Sequence, residues 1–226
     1  MDDTLYEEIT FVQSGFRAVA AYLAGIGITT AAQDEIYDFM WKQLSLNGRG
    51  QVFNDALLYF SGEMSDDLVR ACIEQYRYHE PNIQLPQSTI QVIESLNQYP
   101  LYVVTDGYAD TQERKITALG LNQYVKEAIA SYREGTDKGK PSPYWFNKIA
   151  EIEEVKPEQI VYIGDNPSKD FVGIKPLGFR TIRIQQGPYA NHVPSIEHEA
   201  EVVIEWISEL ATALKRLWPN IEVRGD

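Results

Sequence analysis

Asp2 and Thr4, in Met1-Asp2-Asp3-Thr4-Leu5-Tyr6, open a set of polar residues whose types could handle a phosphoryl group. Val104-Thr105-Asp106-Gly107 follows an apolar run. Gly139-Lys140-Pro141 falls in a loop, and Gly164-Asp165-Asn166-Pro167-Ser168-Lys169-Asp170 follows a second apolar run. Phosphoryl transfer through a carboxylate needs a nucleophile, an acid for the leaving oxygen, Mg²⁺, and donors to the phosphoryl oxygens. Carboxylates, a hydroxyl and an ammonium are such parts. Taken singly, each segment has a plainer reading. Thr105-Asp106-Gly107 is a turn after a strand, Lys140 a solvated loop lysine with Lys138 as competitor, Asp165 a turn former and Asp170 a helix-start charge. Their joint order and spacing carry the chemical reading.

These residues need elements to hold them. From about 8 to 85 the chain reads as helices. Phe11, Val12, Phe16, Val19, Ala20 and Leu23 recur at helical spacing, and Gly25-Ile26-Gly27 ends that helix. Thr30-x-x-Gln33 is a capping-box pattern ahead of Ile36, Phe39, Met40 and Leu44. A third helix is expected near 53–60, and Ser65 is a good N-cap for a fourth reaching about His79. After Pro86 helices alternate with short apolar strands. Strands are expected at 101–105, 128–130, 159–163, 180–184 and near Val202. Helices are expected at 90–96, 112–119, 143–151, 168–176 and 205–217. That alternation predicts an α/β fold, a parallel sheet covered on both faces. Ligands of such sheets bind beyond the C-terminal strand ends, where Thr105 and Asp165 fall.

Composition narrows the partners. A 226-residue chain with 44% hydrophobic and 23% charged residues is that of a folded globular protein. Its 20 basic and 33 acidic residues give a net charge of −13, which argues against a nucleic-acid backbone or an anionic membrane as partner. Cys72 is the single cysteine, so an internal disulfide is impossible. It sits in the helical apolar pattern Leu68, Val69, Cys72, Ile73, Tyr76 and reads as a buried thiol. No run nears the roughly 18 apolar residues of a membrane span, and the start lacks a basic region followed by an apolar one. A cytoplasmic protein is the simplest expectation. His79, His192 and His198 lack metal-ligand spacing.

In their order, the four polar segments resemble the motifs of the haloacid dehalogenase-like (HAD) hydrolases, most of which are Mg-dependent phosphatases. The family's first motif is Asp-x-Asp-x-Thr after a buried strand. Met1 stands at the first x, so Asp2 and Thr4 match and the nucleophilic Asp would precede Met1. The resemblance implies Asp2 as the acid/base group, Thr105 as the hydroxyl holding a phosphoryl oxygen, and Lys140 as the cation bridging nucleophile and phosphate. It implies Thr4, Asp106 and Gly107 around the substrate. Mg²⁺ is implied as cofactor, on Asp165 and Asp170 with the Asp2 carbonyl. It also implies a Rossmann-like core of residues 1–8 and 86–226, and a helical cap of 9–85 in which Arg17 or Arg49 could meet a substrate anion. Small sugar phosphates, nucleotides and phosphoglycolate all suit this architecture, and oligomeric state is open.

Other readings stand beside the phosphatase. One is a catalytically inactive HAD-like binding or regulatory protein. Another is a 2-haloacid dehalogenase, disfavoured because alkoxide departure wants the acid at Asp2 and halide departure does not. A receiver domain is disfavoured by the helical insert. The resemblance further implies an apolar strand ending in Asp ahead of Met1, between the strands that end in Thr105 and Gly164. A reading frame opened too late is the expectation, with the chain as written inactive. Those two strands should then face an empty slot. About five apolar side chains at roughly 1.5–3 kcal/mol each would be missing, comparable with a domain's net stability of about 5–15 kcal/mol.

Overall fold

A computed structural model describes residues 1–224. The chain forms two compact units: Met1–Glu8 with everything from Gln84 onward, and Ile9–Ile83.

The Ile9–Ile83 unit is helical: α1 (Glu8–Gly25, its first residue in the other unit), α2 (Gln33–Asn47), α3 (Val52–Ser61) and α4 (Asp66–Tyr78). Val12, Phe16, Val19 and Leu23 form one buried stripe of α1, spaced three to four residues apart as the helical period requires. The stripe packs with Ile36 and Met40 of α2, Leu57 of α3 and Cys72 of α4. Ser65 caps α4, its Oγ accepting from the Leu68 amide at 3.2 Å. The Thr30–Gln33 capping box does not form. Helix α2 starts at Gln33 itself with Ala32 at the cap, so Gln33 lies two residues too early to reach back as a capping-box partner. The nearby Thr29 hydroxyl accepts instead from the Ala31 amide at 3.1 Å.

The second unit holds the parallel strands β1 (Tyr102–Thr105), β2 (Glu127–Ala130), β3 (Val161–Gly164), β4 (Arg180–Ile184) and β5 (Val202–Ile204). α5 (Gln87–Ser95), α6 (Ala109–Ala118) and α7 (Tyr144–Ile152) precede β1, β2 and β3 in turn, β3, β4 and β5 follow one another with only 3₁₀ turns and loops between, and α8 (Leu210–Leu217) comes last. β1 pairs with β2, Tyr102 opposite Glu127 and Thr105 opposite Ala130. β4 lies between β3 and β5, with Ile163 opposite Ile182 and Ile182 opposite Val202. Among the described residues no ladder joins β1 to β3, so the sheet comes as two halves. Ile182, Ile184 and Ile204 pack with Leu210 and Leu214 of α8, and Val104 and Ile129 pack with Trp145 and Ile149 of α7.

Two expected helices are corrected. Residues 166–174 run as turns, closing in a 3₁₀ turn at Lys175–Leu177, where a helix over 168–176 was expected. The Asp170 carboxylate takes the Asn166 amide at 2.9 Å, a side-chain bond that competes with helical pairing, and Pro176 lacks the amide that a continuing helix would use. The last helix begins with a 3₁₀ turn at Ile207–Glu209, and α8 proper starts at Leu210. Among the described residues, no helix is long and apolar enough to cross a membrane.

Candidate active site

The loops that leave β1 and β3 carry polar residues that the sequence singled out, and the first residues of the chain are tied to the end of β3. The Met1 carbonyl accepts from the Leu5 and Thr4 amides at 2.9 and 3.3 Å, making a tight turn. Asp3 sits in that turn at φ 48°, a left-handed conformation aspartate tolerates better than most residues. Thr4 Oγ1 donates to Asp165 Oδ1 at 3.2 Å, fastening the turn to the end of β3.

Asp165 is half-buried, and loss of solvation first, then the charge of Asp170, pushes its carboxyl up to about 6. Asp170 is buried deeper. Its Oδ1 lies 2.8 Å from Lys140 Nζ, both side chains nearly sealed from solvent. Gly164 makes room for this carboxylate: a Cβ there would collide with Asp170. Lys140 Nζ also donates to the Tyr162 hydroxyl at 2.8 Å. Burial works against its charge, but Tyr162, Asp170 and Asp106 more than reverse that, so the ammonium is held protonated well above its usual range. Gly173 brings the two loops together, packing so close to the Pro141 carbonyl that a side chain could not fit. Lys138, the competitor, points elsewhere. It pairs with Asp137 at 3.1 Å and lies 4.7 Å over the Tyr144 ring.

Asp106 clasps three segments. Its Oδ1 accepts from Ser131 Oγ at 2.7 Å and from the Lys140 amide at 3.2 Å, and its Oδ2 from Lys169 Nζ at 2.9 Å. Burial would raise its carboxyl, but Lys140, Ser131 and Lys169 outweigh burial and hold it below the usual carboxylate range. Gly107 comes next in the chain with φ 135°, open only to glycine. The Thr105 hydroxyl is buried and donates to Gln112 Oε1 at 3.0 Å, leaving its oxygen lone pairs as acceptors.

Asp2 takes a different direction. Its carboxylate oxygens accept from Lys115 Nζ at 2.9 and 3.0 Å, and one also from the Tyr6 hydroxyl at 2.6 Å. Burial opposes the charge, yet Lys115 foremost among the partners keeps the carboxyl below its ordinary range. In this arrangement Asp2 is a paired anion, and it must leave Lys115 to carry a proton. The Met1 amino group is buried, held below the usual amine range by burial and then by Lys140, with Asp2, Asp165 and Asp170 acting in the opposite sense. Asp165, Asp170, Lys140 and the Met1 nitrogen thus belong to one electrostatic cluster, with Asp106 and Thr105 on its β1 side. Among the described residues no three His, Cys, Asp or Glu side chains gather as a metal cage.

Sequence reasoning did not single out Lys115, Ser131, Lys169 or Tyr162. Lys115 carried a signal. It falls on the buried stripe of α6 with Thr111, Gln112 and Ile116, where a lysine needs an anion. In the helical unit, the Arg17 guanidinium lies 4.4 Å over the Tyr37 ring, and His79 bridges the Tyr76 carbonyl and Ser14 Oγ at 2.8 and 3.0 Å.

Residues 1–178 match the haloacid dehalogenase-like hydrolase family, and the chain belongs to that family. A glyceraldehyde 3-phosphate phosphatase of Methanopyrus kandleri is 28% identical over 202 residues, which cover 86% of this chain and 85% of that one. Among solved structures, a 2-haloacid dehalogenase from Pseudomonas syringae pv. Tomato covers 96% of both chains, with a TM-score of 0.63 and 23% identity. The putative HAD-hydrolase YfnB from Bacillus subtilis, solved bound to magnesium, covers 98% of this chain and 96% of its own, with a TM-score of 0.61 and 22% identity. At these identities the structural likeness speaks to the fold: parallel strands, flanking helices and a helical region near the N-terminus.

Proposed function

We propose that this chain is the body of a Mg-dependent hydrolase of small phosphomonoesters that works through a phospho-aspartyl intermediate. The observation that supports it best is the gathering of Lys140, Asp165 and Asp170 around the Met1 nitrogen, with Lys140 paired to Asp170 and Thr4 bonded to Asp165. A residue joined to that nitrogen has its Cα about 2.4 Å away, so an aspartate preceding Met1 would place its carboxylate within the cluster. The acids already there are engaged: Asp2 with Lys115, Asp106 with Lys169, Asp170 with Lys140. That favours a carboxylate other than these three as nucleophile.

The donor set suits Mg²⁺. The half-buried Asp165 and the buried Asp170 would supply oxygen ligands whose mutual repulsion a hard cation would relieve. They would hold the ion with the Asp2 carbonyl, and the bound ion supplies positive charge to the phosphoryl oxygens. In the reaction the aspartate oxygen bonds to phosphorus as the P–O(ester) bond breaks. Asp2, freed from Lys115, gives its proton to the leaving alkoxide. Water then attacks the acyl phosphate, Asp2 takes its proton, and the carboxylate and inorganic phosphate are released. Lys140 holds nucleophile and phosphate together, and Thr105 orients a phosphoryl oxygen. The relative that acts on glyceraldehyde 3-phosphate makes a triose phosphate the first substrate to try.

The test compares phosphate release by the 226-residue chain and by a form carrying an apolar strand and aspartate ahead of Met1. Loss of a covalent nucleophile costs on the order of 10⁶ in turnover, so the expected difference is of that order. Robust turnover by the chain as written, abolished by Asp165→Asn, would mean that another group attacks.

A further inference from the structure

Thr105 and Gln112 are 3% and 5% exposed, and the Thr105 hydroxyl donates to Gln112 Oε1 at 3.0 Å. A hydroxyl carries one proton, so toward any other group Thr105 offers lone pairs alone. A phosphoryl oxygen is an acceptor too. Two acceptors repel, so Thr105 cannot hold a phosphoryl group while Gln112 keeps its proton. Gln112 itself can correct this. A side-chain amide carries its acceptor and its donors on atoms of similar size, and a half-turn about Cγ–Cδ exchanges them without repacking. Nε2 would then donate to Thr105 Oγ1 and leave the Thr105 proton free for a phosphoryl oxygen. The surroundings suit such a turn. Gly107 has no Cβ, and one placed there would lie 2.7 Å from Gln112 Nε2 and 3.3 Å from its Cδ. The backbone beneath is fixed: the Gln112 main-chain amide donates to the Tyr108 carbonyl at 3.0 Å. Three residues further along α6, Lys115 is bonded to Asp2 at 2.9 and 3.0 Å. The helix stays in place while the side-chain amide turns.

We infer that Gln112 is a positioning residue for Thr105: its side-chain amide sets the direction of the Thr105 proton, and arrival of a phosphoryl group turns that amide from acceptor to donor. The inference rests on the phosphatase reading, in which Thr105 holds a phosphoryl oxygen. No covalent bond changes and no proton is transferred. One hydrogen bond reverses its direction and one new bond forms, from the Thr105 hydroxyl to the anion. Hydrogen bonds to a charged group are stronger than neutral ones, so the bond gained at the phosphoryl oxygen outweighs the exchange of one neutral bond for another. The role also accounts for an amide on the buried face of α6, beside Thr111, Lys115 and Ile116. A carboxylate of the same shape could only accept, and an apolar side chain could do neither.

The test titrates the 226-residue chain with inorganic phosphate in the presence of Mg²⁺, in a double-mutant cycle of Thr105→Val and Gln112→Glu. Thr105→Val should weaken phosphate binding about 10–100-fold, the loss of one hydrogen bond to a charged group. Gln112→Glu keeps the shape but, once ionised, only accepts, so it traps the Thr105 proton and binding should fall at least as far. Its added charge costs affinity as well, and the cycle removes that part. On the Thr105→Val background the Gln112→Glu penalty should be smaller by about tenfold or more. Equal penalties in both backgrounds would reduce the variant to a charge effect and overturn the inference. A Thr105→Val variant that binds phosphate as tightly as the parent would overturn it too. Because a buried carboxylate can unfold the chain, the parent supplies a second measurement. The NH₂ proton signals of Gln112, assigned by their absence in Gln112→Met, should move on saturation with phosphate. In Thr105→Val at matched saturation they should move little. Signals that stay in place in the parent, or move alike in both proteins, would mean that the amide does not turn. Failure of the parent to bind phosphate would sink the phosphatase reading and the inference with it, whereas binding without coupling would sink the inference alone.

Discussion

Phe16 of the helical unit meets the rings of Trp41, Phe53 and Tyr76 at 5.9–6.5 Å, closing a core in which Val19, Ile36, Met40 and Leu57 have no exposed surface. Val104 of the sheet unit packs on Ile129 and Trp145 on one side and borders an open cavity on the other. The helical unit buries its apolar stripes and leaves its polar groups on the surface. The sheet unit buries charge: Lys115, Asp170 and Arg183 are each 2% exposed or less. Burying charge is costly unless every group is paired. The contrast separates a region held by apolar packing from one that must pair its buried charges, as Arg183 does with Glu199 and Lys140 with Asp170.

The largest effect should come from the packing region. Phe16→Ala should cost about 3–5 kcal/mol, the usual loss for a buried aromatic. Hydrogen exchange should lose protection across 9–83 and keep it at β3–β5. Equal loss in both units would mean that they unfold as one and would dissolve the contrast.

Lys115→Met should cost about 3 kcal/mol at pH 7 by leaving Asp2 without its cation. Here the pH dependence has a definite sign. The Asp2 carboxyl is depressed in the folded protein, so its contribution is present above the unfolded value of about 3.9 and is lost as pH falls through the folded value. Urea titrations of both proteins should therefore differ most near neutrality and converge in acid. A gap independent of pH would reduce Lys115 to a packing residue.

Cys72 offers a smaller and reversible probe of the helical core. Burial pushes its thiol from the usual 9 up to about 11, so labelling at pH 8 should run about a hundredfold slower than for an exposed thiol. Fast labelling in native buffer would show that the helical unit opens readily. Ser65→Ala, which removes the α4 cap, should cost only about 1 kcal/mol, measured as a shift in the urea midpoint. An unchanged midpoint would place the start of α4 under tertiary control.

Much of the polar cluster at the strand ends was legible because its placement is local. An apolar run that stops at Thr105, and another that stops at Gly164, put polar groups at strand ends whatever the rest of the chain does. The misreadings arose where a side chain competes with the backbone. Asp170 bonds to the Asn166 amide and turns residues 166–174 away from helix, and α2 begins too late for Thr30 to cap it. The choice between Lys138 and Lys140 was open in the sequence. In the structure Lys140 meets Asp170, where Gly164 and Gly173 leave room for Asp170 and the Pro141 loop, and Lys138 pairs with Asp137.

Periodicity by itself determined that this chain places helices and short strands in succession after a helical segment, while its four motifs carried the resemblance to the HAD-like hydrolases. The elements arise from interactions between near neighbours, which residue type and spacing encode directly. The tertiary structure decided that Asp2 answers to Lys115, which is 113 residues away, that Asp106 ties Ser131, Lys140 and Lys169 into one clasp, and that β1 and β3 stand apart around an apolar slot. Those outcomes depend on which distant side chains share a buried volume, and a buried charge or an unpaired strand edge acquires its meaning only from the groups that lie across from it.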